Sequence, residues 1–183
     1  MKKGIFSITA ILLALSSLVF ASEMQKQPAF GGKIDVAYSK YIWENLEAAK
    51  LNSTPATLYV GGPPHGKVRE VLESKIDGQR VIVKRNYGGA DVSIENVKKD
   101  RAKYLKAVTV MVRKEGYNPK HSDWFWVKYK ADGTLHKAPN KMAIAGKAPG
   151  CIACHSSASG NDLVFIHNKE ANADITLVDE LKN

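Results

Sequence analysis

The spacing of hydrophobic and polar positions predicts one clear helix and several strands. Apolar residues recur at helical intervals over residues 36–49, which predicts an amphipathic helix there. Residues 67–75 are predicted to form a second, short helix, because Val68, Val71 and Leu72 would share one side of it. β-Branched and aromatic residues, alternating with polar ones or in short runs, predict strands elsewhere. These strands cover residues 57–60, 80–87, 105–113, 124–130 and 163–166.

Turn-forming residues between these segments indicate how the strands pair. Asp77 and Gly78 precede one strand, and residues 117–123 connect two others, which we therefore expect to be adjacent and antiparallel. Residues 137–149 are predicted to be a loop. The expected fold class is α+β, a predominantly antiparallel β-sheet with a few short helices, in one domain over residues 35–183.

The first 21 residues have the pattern of a secretory signal peptide. Lys2 and Lys3 precede an apolar stretch over residues 5–20, which is followed by the small residue Ala21. This stretch is shorter than the roughly 20 apolar residues that a membrane-spanning helix needs, and no stop-transfer charges follow it. We expect cleavage after Ala21, then a flexible leader over residues 22–34. The mature protein is expected in the periplasm, without a membrane anchor.

The composition is basic. The formal net charge is +9, and it falls to +7 when Lys2 and Lys3 are lost with the signal peptide. The lysines are scattered and form no basic helix or aromatic stacking motif, which argues against nucleic acid as a partner. The basic loop over residues 137–147 is expected instead to steer the docking of a redox partner protein.

The two cysteines of the chain both lie in the motif Cys151-Ile152-Ala153-Cys154-His155. Thiols at this spacing can add to the two vinyl groups of one haem while the adjacent imidazole reaches the iron. A redox dithiol would favour a βαβ context, and a zinc site would need a second pair of ligands. The motif therefore predicts a single covalent c-type haem near the C-terminus, bound through Cys151 and Cys154, with His155 as the axial iron ligand.

The opposite side of the iron decides whether such a haem only transfers electrons or also binds a ligand. Electron-transfer cytochromes commonly place a Met or a second His there. His167 is the one such residue after the motif, and the methionines Met24, Met111 and Met142 all precede it. We expect a five-coordinate iron with an open distal face. An electron carrier with a saturated iron is the alternative.

Segments on both sides of the motif resemble the cytochrome P-460 family, which includes the cytochromes c′-beta. The resemblance is most specific at residues 116–119, 123–129 and 161–165, and it extends over residues 38–165. It implies a predominantly antiparallel β fold, a homodimer and a five-coordinate haem. It also implies one of two activities. One branch oxidises hydroxylamine, with nitric oxide as a candidate co-substrate, whereas the other binds nitric oxide or carbon monoxide in an apolar, often phenylalanine-capped pocket without turnover.

In the enzymatic branch of this family a lysine is cross-linked to the porphyrin. Residues 77–84 are similar to the family segment that ends at this lysine, so the resemblance makes Lys84 the candidate for the haem cross-link. Arg85 follows where a carboxylate is common, and this departure leaves both branches open. Strand alternation places Lys84 on the same face as Ile82 and opposite Val83, which does not by itself decide whether it faces the cofactor.

The aromatic strand before the motif is a second candidate contact with the haem. Its alternation separates Phe125 from Trp126, and we predict that one of the two touches the porphyrin. Oxidation of hydroxylamine would also need a proton acceptor. The candidates nearest in sequence lie in predicted turns: Glu115, His121 and Asp123. Three further histidines receive no role in the site: His65, His136 and His167.

Overall fold

A computed structural model describes residues 28–158, 160–165 and 176–177. Its helices are α1 (Lys33–Ala48), α2 (Ile94–Lys99), α3 (Arg101–Tyr104) and α4 (Pro149–His155), with a 3₁₀ turn at Pro119–His121. Its strands are β1 (Tyr59–Val60), β2 (Val68–Ile76), β3 (Gln79–Tyr87), β4 (Leu105–Arg113), β5 (Trp124–Tyr129), β6 (Ala145–Gly146) and β7 (Thr176–Leu177).

The strands form one sheet with a simple topology. Strands β1 to β6 lie in chain order, and each pairs antiparallel with the next. β7 adds a short parallel pairing to β2 at Leu72 and Glu73. The predicted fold class, a mainly antiparallel sheet with a few short helices, is confirmed.

The two faces of the sheet have different partners, because successive side chains of a strand point to opposite sides. One face packs beneath α1, where Ile42 and Leu46 of the helix are buried against Val83 and Val110 of the sheet. The other face carries a second apolar cluster, which contacts α4 and includes Ile82. One side of the sheet is therefore the main core, and the other side can form a site.

The prediction of a helix over residues 67–75 is wrong, because this segment is strand β2. It pairs with β3 along its whole length, from Val68 opposite Tyr87 to Ile76 opposite Gln79. The Asp77–Gly78 turn has φ values of 50° and 71°, the left-handed conformation of a tight hairpin. Both faces of β2 are largely buried, so its apolar positions do not alternate cleanly and imitate a helical pattern.

Other differences from the prediction are smaller. The charged segment before residue 105 contains α2 and α3, and the predicted loop over 137–149 contains the short strand β6 and the start of α4. Residues 163–165 do not form the predicted last strand, and residue 166 lies outside the described residues. The helix and strands predicted over 36–49, 80–87, 105–113 and 124–130 are confirmed to within a few residues.

The predicted leader over residues 22–34 is described from residue 28 onward, and the predicted signal peptide lies outside the described residues. Phe30 forms a bridge with Gly146, the Gly31 N–H donates to the Ala145 carbonyl at 2.6 Å, and α1 begins at Lys33. The end of the leader is thus paired with β6. Within the described part of the chain, none of the helices combines the length and the apolar character that crossing a membrane would require.

Candidate functional site

A cavity of about 650 Å³ lies on the face of the sheet opposite α1. Neighbouring strands supply its floor, including a cross-strand row in which Thr109 of β4 lies between Lys84 of β3 and Lys128 of β5. Ile82 and Met111 add apolar surface to the lining. The volume is within the range of about 300–1,000 Å³ that is typical of cofactor and ligand cavities.

Helix α4 brings the Cys-x-x-Cys-His motif to this cavity. Cys151, Cys154 and His155 all line it, since positions three and four apart share one side of a helix. Pro149 is in the first turn of α4, where its fixed φ favours the start of a helix. Both cysteines are free thiols and partly buried, and burial raises the pKa of Cys151. The motif residues predicted from sequence are therefore brought together at one cavity.

The His155 imidazole is held in a defined tautomer. Its Nδ1 lies 2.8 Å from the carbonyl oxygen of Leu163, and a carbonyl can only accept, so Nδ1 donates. Burial lowers the pKa of His155, with the charge of Lys84 acting in the same direction, which favours the neutral ring. Its other nitrogen, Nε2, then carries a free lone pair. Metal-ligating histidines commonly have such a carbonyl partner on the second nitrogen.

The loop that supplies this carbonyl is anchored to two strands. Asp162 accepts from Arg80 of β3 at 3.0 Å through its side chain and from the indole N–H of Trp124 of β5 at 2.6 Å through its carbonyl. Leu163 follows with φ of 60°, an uncommon conformation for a residue other than glycine. The orientation of His155 therefore depends on contacts that reach across the sheet.

These residues fit a covalently bound haem. The cavity offers two free thiols, an imidazole with one nitrogen available, and walls that are mostly apolar. The rings of Trp126 and Phe165 flank His155 at centroid distances of 4.6 and 5.2 Å. The indole N–H of Trp126 is buried and has no hydrogen-bond partner within the described residues.

Lys84 lies on the cavity face of β3, beside Ile82 and opposite the core residue Val83. Burial lowers the pKa of Lys84 to about 8, and the charge of Arg69 contributes to the shift. A substantial fraction of this amine is therefore neutral near physiological pH, as a nucleophilic lysine requires. Strand alternation predicted the face correctly but could not show which face held the cavity.

Arg85, the departure from the family pattern, lies on the other face of the sheet. Its guanidinium pairs with the fully buried Glu70 at 2.8 Å, and Arg101 pairs with the same carboxylate at 2.8 Å. Tyr87 donates to Glu70 at 2.6 Å. Arg85 therefore belongs to a buried polar cluster behind the cavity rather than to the cavity lining.

The structure separates the two aromatic candidates. Trp126 lines the cavity, whereas Phe125 packs on the opposite face against Tyr38 and Tyr117 at centroid distances of 4.9 and 5.4 Å. Phe125 was named as a candidate haem contact from the sequence, and this position corrects it. The cause is the two-residue period of β5, which sends adjacent side chains to opposite faces.

The turn residues named as candidate proton acceptors do not line the cavity either. Glu115, His121 and Asp123 lie at the far end of β4 and β5, whereas His65, which received no role, lines the cavity. Burial lowers the pKa of His65 to about 3, with the charges of Lys84 and Arg69 acting in the same direction. No periodic pattern marks His65, because it lies in the irregular segment between β1 and β2. His167 lies outside the described residues.

Comparison with known proteins agrees with this site. A sequence model of the family described as Cytochrome P460 matches residues 68–166, from the start of β2 past the haem motif. The match covers more than half of the 183-residue chain. Neither the curated proteins nor the solved structures contain a match. The family predicted from the sequence is confirmed, and this chain belongs to the cytochrome P460 family.

Proposed function

We propose that this chain is a periplasmic, mono-haem c-type cytochrome that oxidises hydroxylamine at an open iron site, with nitric oxide as a candidate co-substrate. Membership of the cytochrome P460 family supports a haem cytochrome. The observation that carries the enzymatic proposal is the position of Lys84, which lines the same cavity as Cys151, Cys154 and His155. This is the arrangement that a lysine cross-link to the porphyrin requires.

The chain's own residues have distinct roles in this proposal. Cys151 and Cys154 would form the two thioether bonds, and His155 would bind the iron through Nε2 while Leu163 fixes the ring. The haem, when bound, supplies a metal that can accept electrons from a nitrogenous substrate. Lys84 would place beside the edge of the macrocycle an amine that burial keeps partly neutral, as a cross-linking lysine must be.

The electrons removed from hydroxylamine need an acceptor, and the basic loop before the haem motif is suited to dock one. Lys137 and Lys141 are exposed, and Lys137 lines the cavity itself. Exposed cations beside a redox site attract an acidic partner and raise the association rate at low salt. We propose that a periplasmic electron-transfer protein docks here.

Peptide mapping of the purified haem protein tests the enzymatic proposal. A peptide that contains Lys84 should remain attached to the haem after proteolysis, in addition to the peptide with Cys151 and Cys154. Lys84→Arg should abolish this second attachment and the turnover of hydroxylamine with an artificial electron acceptor. Lys128→Arg is the matched control, since Lys128 lies in the same cross-strand row and lines the same cavity.

A second candidate function has an observation in its favour. Phe30 and Phe165 both line the mostly apolar cavity, and the branch of the family that binds nitric oxide or carbon monoxide often has phenylalanine at its pocket. If Lys84 is found unlinked and hydroxylamine gives no turnover, the enzymatic proposal should be dropped. Tight binding of nitric oxide by the same protein would then support the binding function.

The family resemblance also leads us to propose a homodimer. Light scattering coupled to size-exclusion chromatography of the haem-loaded protein tests this directly. A molar mass of one chain at micromolar concentration would contradict it.

A further inference from the structure

A second cavity of about 250 Å³ adjoins the first and has a different character. It lies at the sheet edge formed by β1 and β2, and its polar lining residues include Tyr59, His65, Arg69 and Lys84. It shares Cys154 and His155 with the larger cavity, so its contents would lie close to a haem attached there.

Arg69 has defined contacts at this cavity. Its Nε donates to the Gly66 carbonyl at 2.9 Å, and Arg69 lies opposite Tyr59 in the β1–β2 pair. Burial raises the pKa of Tyr59, and the charge of Arg69 opposes this rise. The guanidinium lies against Gly61, where an added Cβ would be 2.5 Å from Nε. Gly61 therefore leaves room for the guanidinium, which the Gly66 carbonyl helps to hold at the cavity.

The charges around this cavity are not balanced. No carboxylate of the described residues lines it, and none lies within ion-pair distance of Arg69 or Lys84. The charge of Arg69 lowers the pKa of both His65 and Lys84, as expected where cations face a shared space. A small cleft lined by charge of one sign concentrates counter-ions, and a fixed guanidinium fork matches the geometry of a carboxylate or planar oxyanion.

We infer that this second cavity is an anion site, in which Arg69 binds a carboxylate or a small oxyanion between Tyr59 and His65. The inference goes beyond hydroxylamine oxidation and does not depend on it, because the guanidinium supplies the recognition whether or not Lys84 is cross-linked. The anion has two sources, a propionate of the haem or a free oxyanion from solution, and they share the same chemistry.

Calorimetric titration of nitrate into the haem-loaded protein tests whether the site binds a free oxyanion. Nitrate is planar and a weak ligand for ferric haem, so an unchanged Soret band confirms that it does not bind the iron. Wild type should bind nitrate, and Arg69→Gln should weaken binding roughly ten- to hundredfold, as expected for the loss of charge-assisted hydrogen bonds. Gly61→Ala, which keeps the charge but displaces the guanidinium, should weaken binding as well. Arg113→Gln is the control, since Arg113 is an exposed arginine of the same sheet that lines neither cavity.

Resonance Raman spectra of nitrate-free protein test whether a haem propionate occupies the site. If a haem propionate occupies the site, its bending band should shift in Arg69→Gln and Gly61→Ala but not in Arg113→Gln, and wild type should not bind nitrate. Either pattern supports an anion site and identifies its occupant. The inference is overturned if wild type binds no nitrate and the propionate bands of all four proteins coincide. Hydroxylamine turnover, measured separately, leaves this result unaffected.

Discussion

The Nδ1 atom of His155 donates a hydrogen bond of 2.8 Å to the carbonyl oxygen of Leu163. The carbonyl belongs to a loop that Arg80 and Trp124 anchor through Asp162, so two strands of the sheet set the orientation of the imidazole. A stronger hydrogen bond at Nδ1 makes the other nitrogen a better electron donor to a metal. The sheet can thereby tune a haem bound on α4 through the loop that orients His155.

Replacing Arg80 should weaken this support. Arg80→Gln removes the ion pair with Asp162 and the two-point contact with Glu73, at 2.6 and 2.9 Å, and should lower the free energy of unfolding by about 1–2 kcal/mol. Looser anchoring of the loop should also lower the iron–histidine stretching frequency of the reduced protein in resonance Raman spectra. Arg113→Gln is the control, because Arg113 and Arg80 both stack on Trp124, at 5.9 and 5.7 Å. An unchanged frequency in Arg80→Gln would show that the loop holds His155 without this pair.

Replacing His155 tests the axial ligand itself. His155→Ala should leave both thioether bonds able to form, since Cys151 and Cys154 are unchanged, but should abolish native ligation and alter the haem absorption spectrum. His136→Ala is the control, because His136 lines neither cavity. A variant spectrum identical to that of wild type would rule out His155 as the ligand.

Much of the sheet could be predicted because its signals are local. Strands β3, β4 and β5 each combine β-branched or aromatic residues with a turn at one end, and all three were predicted within a residue or two. β2 could not be identified in this way. Its alternation is obscured because both faces are buried, and its pairing with β3 decides its conformation.

Some residues of the candidate site could likewise be predicted from local patterns, and others could not. The haem motif could be found because its residues are contiguous, and Lys84 could be placed on a face by alternation. Which face holds the cavity depends on where α1 and α4 pack, and no local pattern shows that. His65 and Arg69 were missed for the same reason. His65 lies in an irregular segment, and Arg69 lies in strand β2, which was predicted to be a helix.

Asp35 should give the protein a measurable pH dependence. Burial raises the pKa of Asp35, although the hydroxyl of Tyr117, 3.0 Å away, opposes the shift. The folded state then binds the proton more tightly than the unfolded state, so the free energy of unfolding falls as pH rises through the window above the ordinary value of 3.8. Asp35→Asn lacks this loss, so its stability relative to wild type should rise as pH increases above the ordinary carboxyl range.

Asp132 provides a control of opposite sign. Hydrogen bonds from Thr134 lower the pKa of Asp132, so this carboxylate stabilises the fold above its ordinary pKa and loses that effect as pH falls. Urea unfolding of Asp35→Asn and of Asp132→Asn across the pH range should therefore show stability differences from wild type that change with pH in opposite directions. Equal slopes would contradict the raised pKa of Asp35.

The buried cluster behind the cavity should be sensitive to a single neutral substitution. Glu70→Gln leaves the guanidinium of Arg85 buried without a counter-charge, which should lower the free energy of unfolding by about 3–5 kcal/mol. Glu73→Gln, three residues along the same strand, loses only a partly exposed pair with Arg80 and should cost about 1 kcal/mol. Denaturant titration of the two variants measures the difference, and similar losses would show that Arg85 finds another partner.

Carbon monoxide binding distinguishes an open iron from a saturated one. The reduced haem protein should bind carbon monoxide rapidly, because a five-coordinate iron has no side chain to displace. Outside the haem motif, Met111 and His65 are the Met and the His of the described cavity lining, the two residue types that commonly saturate the iron of an electron-transfer cytochrome. Met111→Leu and His65→Ala should leave the association rate within about twofold of wild type, since a ligand worth even ~1.4 kcal/mol would change it about tenfold. Slow binding in wild type that either substitution accelerates would identify a sixth ligand and assign the protein to electron transfer.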